Sequence, residues 1–300
     1  MPYEAQARAA LKRGDLNSAI AAARAMIASA PDNPDAYFLL GMAAVEAGEV
    51  AQAVPLLQSA VAHGPTAEHL AQLAKLLILL RRDGEAADAA RQAMALAPSD
   101  ALTCDTIGCV LSRLGEHEAS VAPFARAVAA EPGNRDFRYN LAAACGFTGR
   151  TGEARAHYET LLKDEPTNGR AHYALAILSR QTAASNHVSR LEQALGRASN
   201  PDDALRIRYA LAKELEDVGD AAASFAHLAA ANARQKQILG YDFRQDAAIF
   251  DAIEALFDRG GAGLNRGTGD ADRRPIFVVG MPRTGTTLVD RILSSHRDVE

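Results

Sequence analysis

Residues 31–65 read PDNPDAYFLLGMAAVEAGEVAQAVPLLQSAVAHGP, and this stretch decides the fold. Tyr37, Leu40, Gly41 and Ala44 recur at helical spacing and fall on one face. Gly48 interrupts, and Ala53, Leu57 and Ala60 then line a second helix that Pro65 ends. The stretch therefore reads as two short amphipathic helices joined by a glycine turn. Helices of about 12 to 15 residues are marginal in water until an apolar face is covered, so one such pair needs neighbours.

The same chain supplies them. Pro31, Pro65, Pro98, Pro132 and Pro166 recur at a nearly constant interval of about 34 residues, the length of a helix-turn-helix repeat. Gly14, Gly48, Gly115 and Gly149 each lie half a period before a proline, and only the third unit departs, with Gly84 slightly late. Gly41, Ala74, Gly108 and Ala142 stand where the first helix of a unit must come close to the second, which a bulky side chain would prevent. Five stacked helix pairs are predicted over residues 1–168. Beyond them the pattern loosens. Residues 169–179 open a sixth unit with His172, Leu175 and Ala176, but a polar stretch from Thr182 to His187 replaces its turn. A later pair centred on Gly219, with Tyr209, Ala212, Phe225 and Leu228, reads as a divergent capping repeat within a helical region 169–257.

Three units carry the pattern most clearly: Tyr37-x-x-Leu40-Gly41, Ala53-x-x-x-Leu57 and Pro65; Ile107-Gly108, Ser120-x-x-x-Phe124 and Pro132; Leu141-Ala142, Ala154-x-x-x-Tyr158 and Pro166. Residues 1–168 thereby resemble the tetratricopeptide-repeat family. The resemblance implies an all-α solenoid of antiparallel helix pairs with a protein or peptide in its concave groove. Asn140 and Arg113 are candidates to project into that groove, although each also reads as a solvated helix-face residue.

Composition narrows the function classes. Hydrophobic residues make up 48% of 300, enough for a folded core and two domains. The formal charge of −5 gives no cationic face for nucleic acid. Cys104, Cys109 and Cys145 are an odd number without metal-ligand spacing and are expected to be reduced core thiols. His157, His172 and His227 have no second ligand at metal spacing and are expected to be helix-surface or partly packed, so no metal site is expected. The start, Met1-Pro2-Tyr3-Glu4, does not read as a secretion signal, and the longest apolar run, Leu76 to Leu80, is too short for a bilayer. A cytoplasmic protein without membrane attachment is expected.

The C-terminal part changes character. Gly260, Gly261, Gly263, Gly267 and Gly269 mark residues 258–274 as a flexible joint. Pro275 to Val279 reads as a buried strand leading into Gly280-Met281-Pro282-Arg283-Thr284-Gly285-Thr286-Thr287, and Leu288, Val289, Ile292 and Leu293 then take up helical spacing. Strand, glycine loop and helix is the order that lets backbone N–H groups and a helix N-terminus close on a phosphate. Compared with G-x-x-x-x-G-K-[ST], the span from Gly280 to Gly285 is kept, but Thr286 replaces the lysine and the cation is Arg283, inside the loop. That pattern favours a ligand with a single 5′-phosphate and a neighbouring transferable anion over a triphosphate.

Phe277 to Leu288, followed by Ile292-Leu293-Ser294-Ser295-His296, resembles the start of sulfotransferases, notably the protein-tyrosine type and bacterial forms joined to tetratricopeptide repeats. Such proteins commonly have Pro-Arg-Ser-Gly-Thr-Thr; Thr284 here keeps the hydroxyl. The resemblance implies that residues 275–300 begin an α/β phosphate-loop sulfotransferase domain whose donor is 3′-phosphoadenosine 5′-phosphosulfate (PAPS). Thr284, Gly285, Thr286 and Thr287 would hold the 5′-phosphate, and Arg283 would hold the donor and offset charge on the bridging oxygen as the sulfuryl group leaves. His296 is expected to be structural. The catalytic glutamate of the family is expected beyond Glu300, and roughly 100 to 200 further residues would complete such a domain, so the 300-residue chain is expected to be inactive alone. Two other readings stay open: a scaffold acting only through its repeats, and a nucleotide-hydrolysing switch that would need an acidic metal site downstream.

Overall fold

The computed structural model describes residues 2–258, 276–280, 284–297 and 299. It divides into two compact units, Met1–Leu239 and Gly240–Glu300.

The first unit is built from antiparallel pairs: α1 (Pro2–Lys12) with α2 (Leu16–Ser29), α3 (Pro34–Glu46) with α4 (Val50–His63), α5 (Ala67–Leu79) with α6 (Asp83–Ala95), α7 (Ala101–Arg113) with α8 (His117–Ala130), and α9 (Arg135–Phe147) with α10 (Thr151–Asp164). Each pair also packs on the next, which makes the five units one stack. In the second unit Leu57, Ala53 and Ala60 are fully buried as anticipated, but on α3 Tyr37, Leu40 and Ala44 are only half-buried, and Ala36, Phe38, Leu39, Gly41 and Ala43 form the buried face.

The proline step recurs because each proline is followed by its own start signal. Asn33, Asn134 and Asn168 lie two positions after Pro31, Pro132 and Pro166, and their side chains accept backbone N–H groups of the first helical turn. Asp100 caps α7 in the same way. Each cap satisfies donors that have no partner within the helix, worth about 1 kcal/mol. The proline carbonyl is also used: six positions on, Cys104 Sγ, Arg138 Nη2 and His172 Nε2 donate to Pro98, Pro132 and Pro166 at 3.4, 2.7 and 2.9 Å.

Close helix contact depends on two glycines. A Cβ at Gly41 would lie 2.1 Å from Leu57 Cδ1, and one at Gly108 would lie 2.6 Å from Phe124 Cε1. The turns behave as their spacing suggests, with Gly14, Gly48, Gly115 and Gly149 at φ +72°, +81°, +82° and +76°. In the third unit the same slot, half a period before Pro98, holds Arg81 at φ +60°, while Gly84 sits inside α6. A side chain in this left-handed conformation costs about 1 kcal/mol. Arg81→Gly is therefore expected to stabilise the array by about 0.5 kcal/mol after the entropy glycine adds to the unfolded chain. An unchanged or lower urea midpoint would contradict this account.

After α10 the units become irregular. α11 (Gly169–Leu178) and α12 (Val188–Arg197) are short, and α11 packs directly on α13 (Pro201–Asp217), which also carries α12. The repeat step nevertheless survives: the Gly169 N–H donates to Asp203 Oδ1, one period further on, at 2.9 Å, and a Cβ on Gly169 would strike the Asp203 backbone. α13 pairs with α14 (Ala221–Leu239) across Gly219, at φ +91°, as the sequence suggested. Ala212 is buried, but Phe225 is 71% exposed and Leu228 also faces outward, so those two do not pack as repeat core residues. α14 ends the array, where a helix has one partner face, and of its residues only Ser224 and Ala231 are buried.

In the second unit, α15 (Phe243–Asp258) and α16 (Thr286–Ser294) bury no residue among those described. Residues 276–280 form no strand, contrary to the sequence expectation, and Phe277 and Val279 are 80% and 86% exposed. A strand is held by ladder hydrogen bonds to a neighbour, and the described residues contain no second strand to supply them. Most of the joint expected at 258–274, together with Pro275, lies outside the described residues.

Candidate functional site

Two regions carry the functional expectations. The first is the face shared by the leading helices of successive pairs, where polar side chains join one unit to the next. Asn140 on α9 donates to Asp105 on α7 at 2.9 Å, and Arg170 on α11 pairs with Asp136 on α9 at 3.2 Å, its guanidinium 3.8 Å from the Tyr139 ring centre. At the other end Arg8 joins α1 to α5 through both carboxylate oxygens of Glu68. Burial raises the Asp105 carboxyl, which the Asn140 hydrogen bond partly offsets. Asn140 thus spans two units, while Arg113 is exposed in the last turn of α7. The alternation of acid, amide, cation and aromatic ring offers hydrogen-bonding partners to a peptide backbone and stacking surfaces to its side chains. Tyr173 on α11 and Tyr209 on α13 extend the aromatic surface in edge contact.

The cysteines divide. Cys104 and Cys145 are buried, as expected for core thiols, but Cys109 is on the exposed side of α7, its Sγ 3.7 Å from Asp105 Oδ2. Desolvation of the sulfur and the Asp105 charge push this thiol up to about 12, away from the reactive thiolate. His157 and His227 are half-buried and His172 is buried; burial lowers all three from the ordinary histidine value. Among the described residues no group of three or more His, Cys, Asp or Glu could hold a metal ion, and no helix is long and apolar enough to cross a membrane.

The second region is the glycine loop. Gly280 lies close to two threonine side chains: a Cβ there would lie 2.7 Å from Thr284 Oγ1 and 2.8 Å from Thr286 Cγ2, so a larger residue would require those side chains to turn. Gly285, at φ +89°, is the N-cap of α16. It brings the chain into the helix with Thr286 and Thr287 in the first turn, where backbone N–H groups have no intrahelical acceptor. Gly285, Thr286, Thr287, Leu288 and Arg291 line an open depression of about 580 Å³. Thr284, Gly285 and Thr287 are exposed and Thr286 is half-buried. Arg283 lies outside the described residues, as do Met281 and Pro282. Arg291 was missed by the loop pattern; its spacing four positions after Thr287 places it on the same side of the helix. His296 follows α16 and is exposed.

Known proteins resemble both regions. One tetratricopeptide-repeat family model matches residues 4–68 and 42–101, and another matches residues 113–178. The model of the sulfotransferase family matches residues 275–300. An uncharacterized protein of Aquifex aeolicus (strain VF5) is 38% identical over 88 residues, 29% of this chain and only 12% of that protein. Among solved structures, a tetratricopeptide-repeat protein from Parabacteroides merdae is 15% identical, over 77% of this chain and 91% of its own, with a TM-score of 0.49. YrrB, described as a repeat protein with an unusual peptide-binding site, is 14% identical over 68% of this chain and 96% of its own, with a TM-score of 0.48. A thermophilic repeat protein of Thermus thermophilus is 21% identical over 59% of this chain and 97% of its own, with a TM-score of 0.45. Residues 4–178 are thus a tetratricopeptide-repeat array, the class of helical scaffold that presents an extended surface to other proteins. To this array is joined a short segment similar to the beginning of a sulfotransferase.

Proposed function

We propose that the chain is the N-terminal portion of a PAPS-dependent sulfotransferase whose repeats hold a protein or peptide acceptor. The supporting observation is the coincidence of the family match at residues 275–300 with a left-handed Gly285 that opens a helix carrying Thr286 and Thr287 in its first turn. In this reading the N–H groups and hydroxyls of Thr284 to Thr287 take the donor's 5′-phosphate, and the partial positive charge of the α16 N-terminus favours it. Arg283 offsets charge on the bridging oxygen during transfer to a hydroxyl or amine, and Arg291 adds a second cation beside the loop. The polar leading-helix face, with Asn140 and Tyr173, carries the acceptor.

Calorimetric titration of 3′-phosphoadenosine 5′-phosphate into the gene product that carries the whole catalytic domain tests this reading. Saturable binding is expected, with Arg283→Ala weakening it at least about tenfold, the loss of roughly 1.4 kcal/mol for one charge-assisted contact. Absence of binding by the wild-type domain would leave the second reading, a scaffold that works through its repeats alone. That alternative draws on the exposure of Phe277 and Val279 and the absence of a strand at residues 276–280.

A further inference from the structure

A separate cavity lies within the array between α10, α11 and α12, with a volume of about 150 Å³. Glu159, Lys163, His172, Arg190, Gln193 and Arg197 supply its polar lining. Two buried polar atoms at this place have no hydrogen-bond partner among the described residues, His172 Nδ1 and Arg190 Nε. Such orphaned groups are rare in folded proteins and call for a partner.

The chemistry of that partner follows from the groups already satisfied. His172 is 2% exposed, and its Nε2 lies 2.9 Å from the Pro166 carbonyl. A carbonyl can only accept, so Nε2 carries the proton; burial favours the neutral ring, which leaves Nδ1 a bare lone pair that needs a donor. Arg190 gives one N–H from each terminal nitrogen to Glu159, at 2.7 and 3.2 Å, so the Glu159 charge is neutralised, while its Nε–H has no acceptor among the described residues. Lys163 and Arg197 are exposed and bring two further positive charges. A partner that satisfies both orphaned groups accepts from Nε–H and donates to Nδ1, and the two neighbouring cations favour one that is small and negative.

We infer that this cavity binds an oxyanion that retains a proton, and monohydrogen phosphate meets all three conditions. Its P–O–H donates to His172 Nδ1, and its charged oxygens accept from Arg190 Nε–H, Lys163 and Arg197. Sulfate at neutral pH has no proton to give, and a phosphomonoester loses its last one at about pH 6, so neither satisfies the imidazole. The site is independent of the glycine loop and does not rest on the sulfotransferase reading.

Titration of the chain labelled with ¹⁵N-histidine, at pH 7.5 in chloride buffer, tests the assignment. Inorganic phosphate should move the His172 Nδ1 resonance saturably away from its lone-pair position, while sulfate and methyl phosphate at equal ionic strength should bind at least about tenfold more weakly. Lys163→Ala and Arg197→Ala, both at exposed positions, should each weaken phosphate about tenfold without lowering the unfolding temperature. No saturable shift, meaning that the cavity holds only water, would overturn the proposal. Equal binding of sulfate or methyl phosphate, or phosphate binding indifferent to both substitutions, would do the same.

Discussion

Gly108→Val should remove about 3 kcal/mol from the stability of the array, with the damage confined at first to α7 and α8. The Gly108 Cα faces the Phe124 ring so closely that a Cβ would lie within 2.9 Å of three ring carbons, Cε1, Cδ1 and Cγ. Phe124 is 3% exposed and packed among Val121, Leu141 and Tyr158, so the ring cannot swing away without opening the next interface. Overpacking of this kind costs about 1 to 3 kcal/mol, and valine adds two methyl groups beyond the clashing Cβ. Helix propensity gained on replacing glycine is a few tenths of a kcal/mol and does not offset it. Because each unit of a solenoid touches only its neighbours, amide exchange should accelerate first in residues 101–130. Protection unchanged there, with a lower denaturation midpoint, would show that the cost lies elsewhere.

Glu214→Ala should cost a similar amount, about 3 kcal/mol, by a different route. The Glu214 side chain on α13 is fully buried, accepting from the His187 backbone N–H at 2.6 Å and from His187 Nδ1 at 2.8 Å. His187 is the N-cap of α12 and its own side chain makes no capping bond, so the carboxylate from the neighbouring helix takes that role. Alanine would strand two donors and leave a void; each unsatisfied buried donor costs about 1 to 3 kcal/mol. Glutamine keeps one acceptor and should lose about half as much. Denaturation of the two variants, with exchange measured across residues 188–197, separates the effects. A glutamine variant as unstable as alanine would mean that the negative charge, rather than the acceptor, holds α12.

How far the site could be read in advance differed between the regions. The repeat register was legible from Pro31 to Pro166 because proline, the asparagine cap and the turn glycine act within a few residues of themselves. The start of α16 was legible for the same reason: the left-handed turn at Gly285 is a local demand that favours glycine. Arg291 escaped because nothing in a lone arginine distinguishes a solvated helix position from one that lines a depression with Thr286 and Thr287. Cys109 was misread as a core thiol; it lies off the face of α7 that Cys104, Ile107, Gly108 and Leu111 bury. The strand expected at 275–279 shows the limit most clearly, for a run of β-branched residues becomes a strand only against a neighbour.

By itself, then, the amino-acid sequence determined what the backbone can do locally: the helix pairs, the near-constant period of their closing prolines, the caps, and the glycine turn into α16. Only the tertiary structure decided which side chains meet across units: the direct packing of α11 on α13, the burial of Glu214 against His187, and the gathering of His172, Arg190, Lys163 and Arg197 around one cavity. The physical reason is separation along the chain. Caps and turns are settled between residues a few positions apart, whereas these pairings join residues tens of positions apart, and their geometry follows from how helix ridges settle against each other.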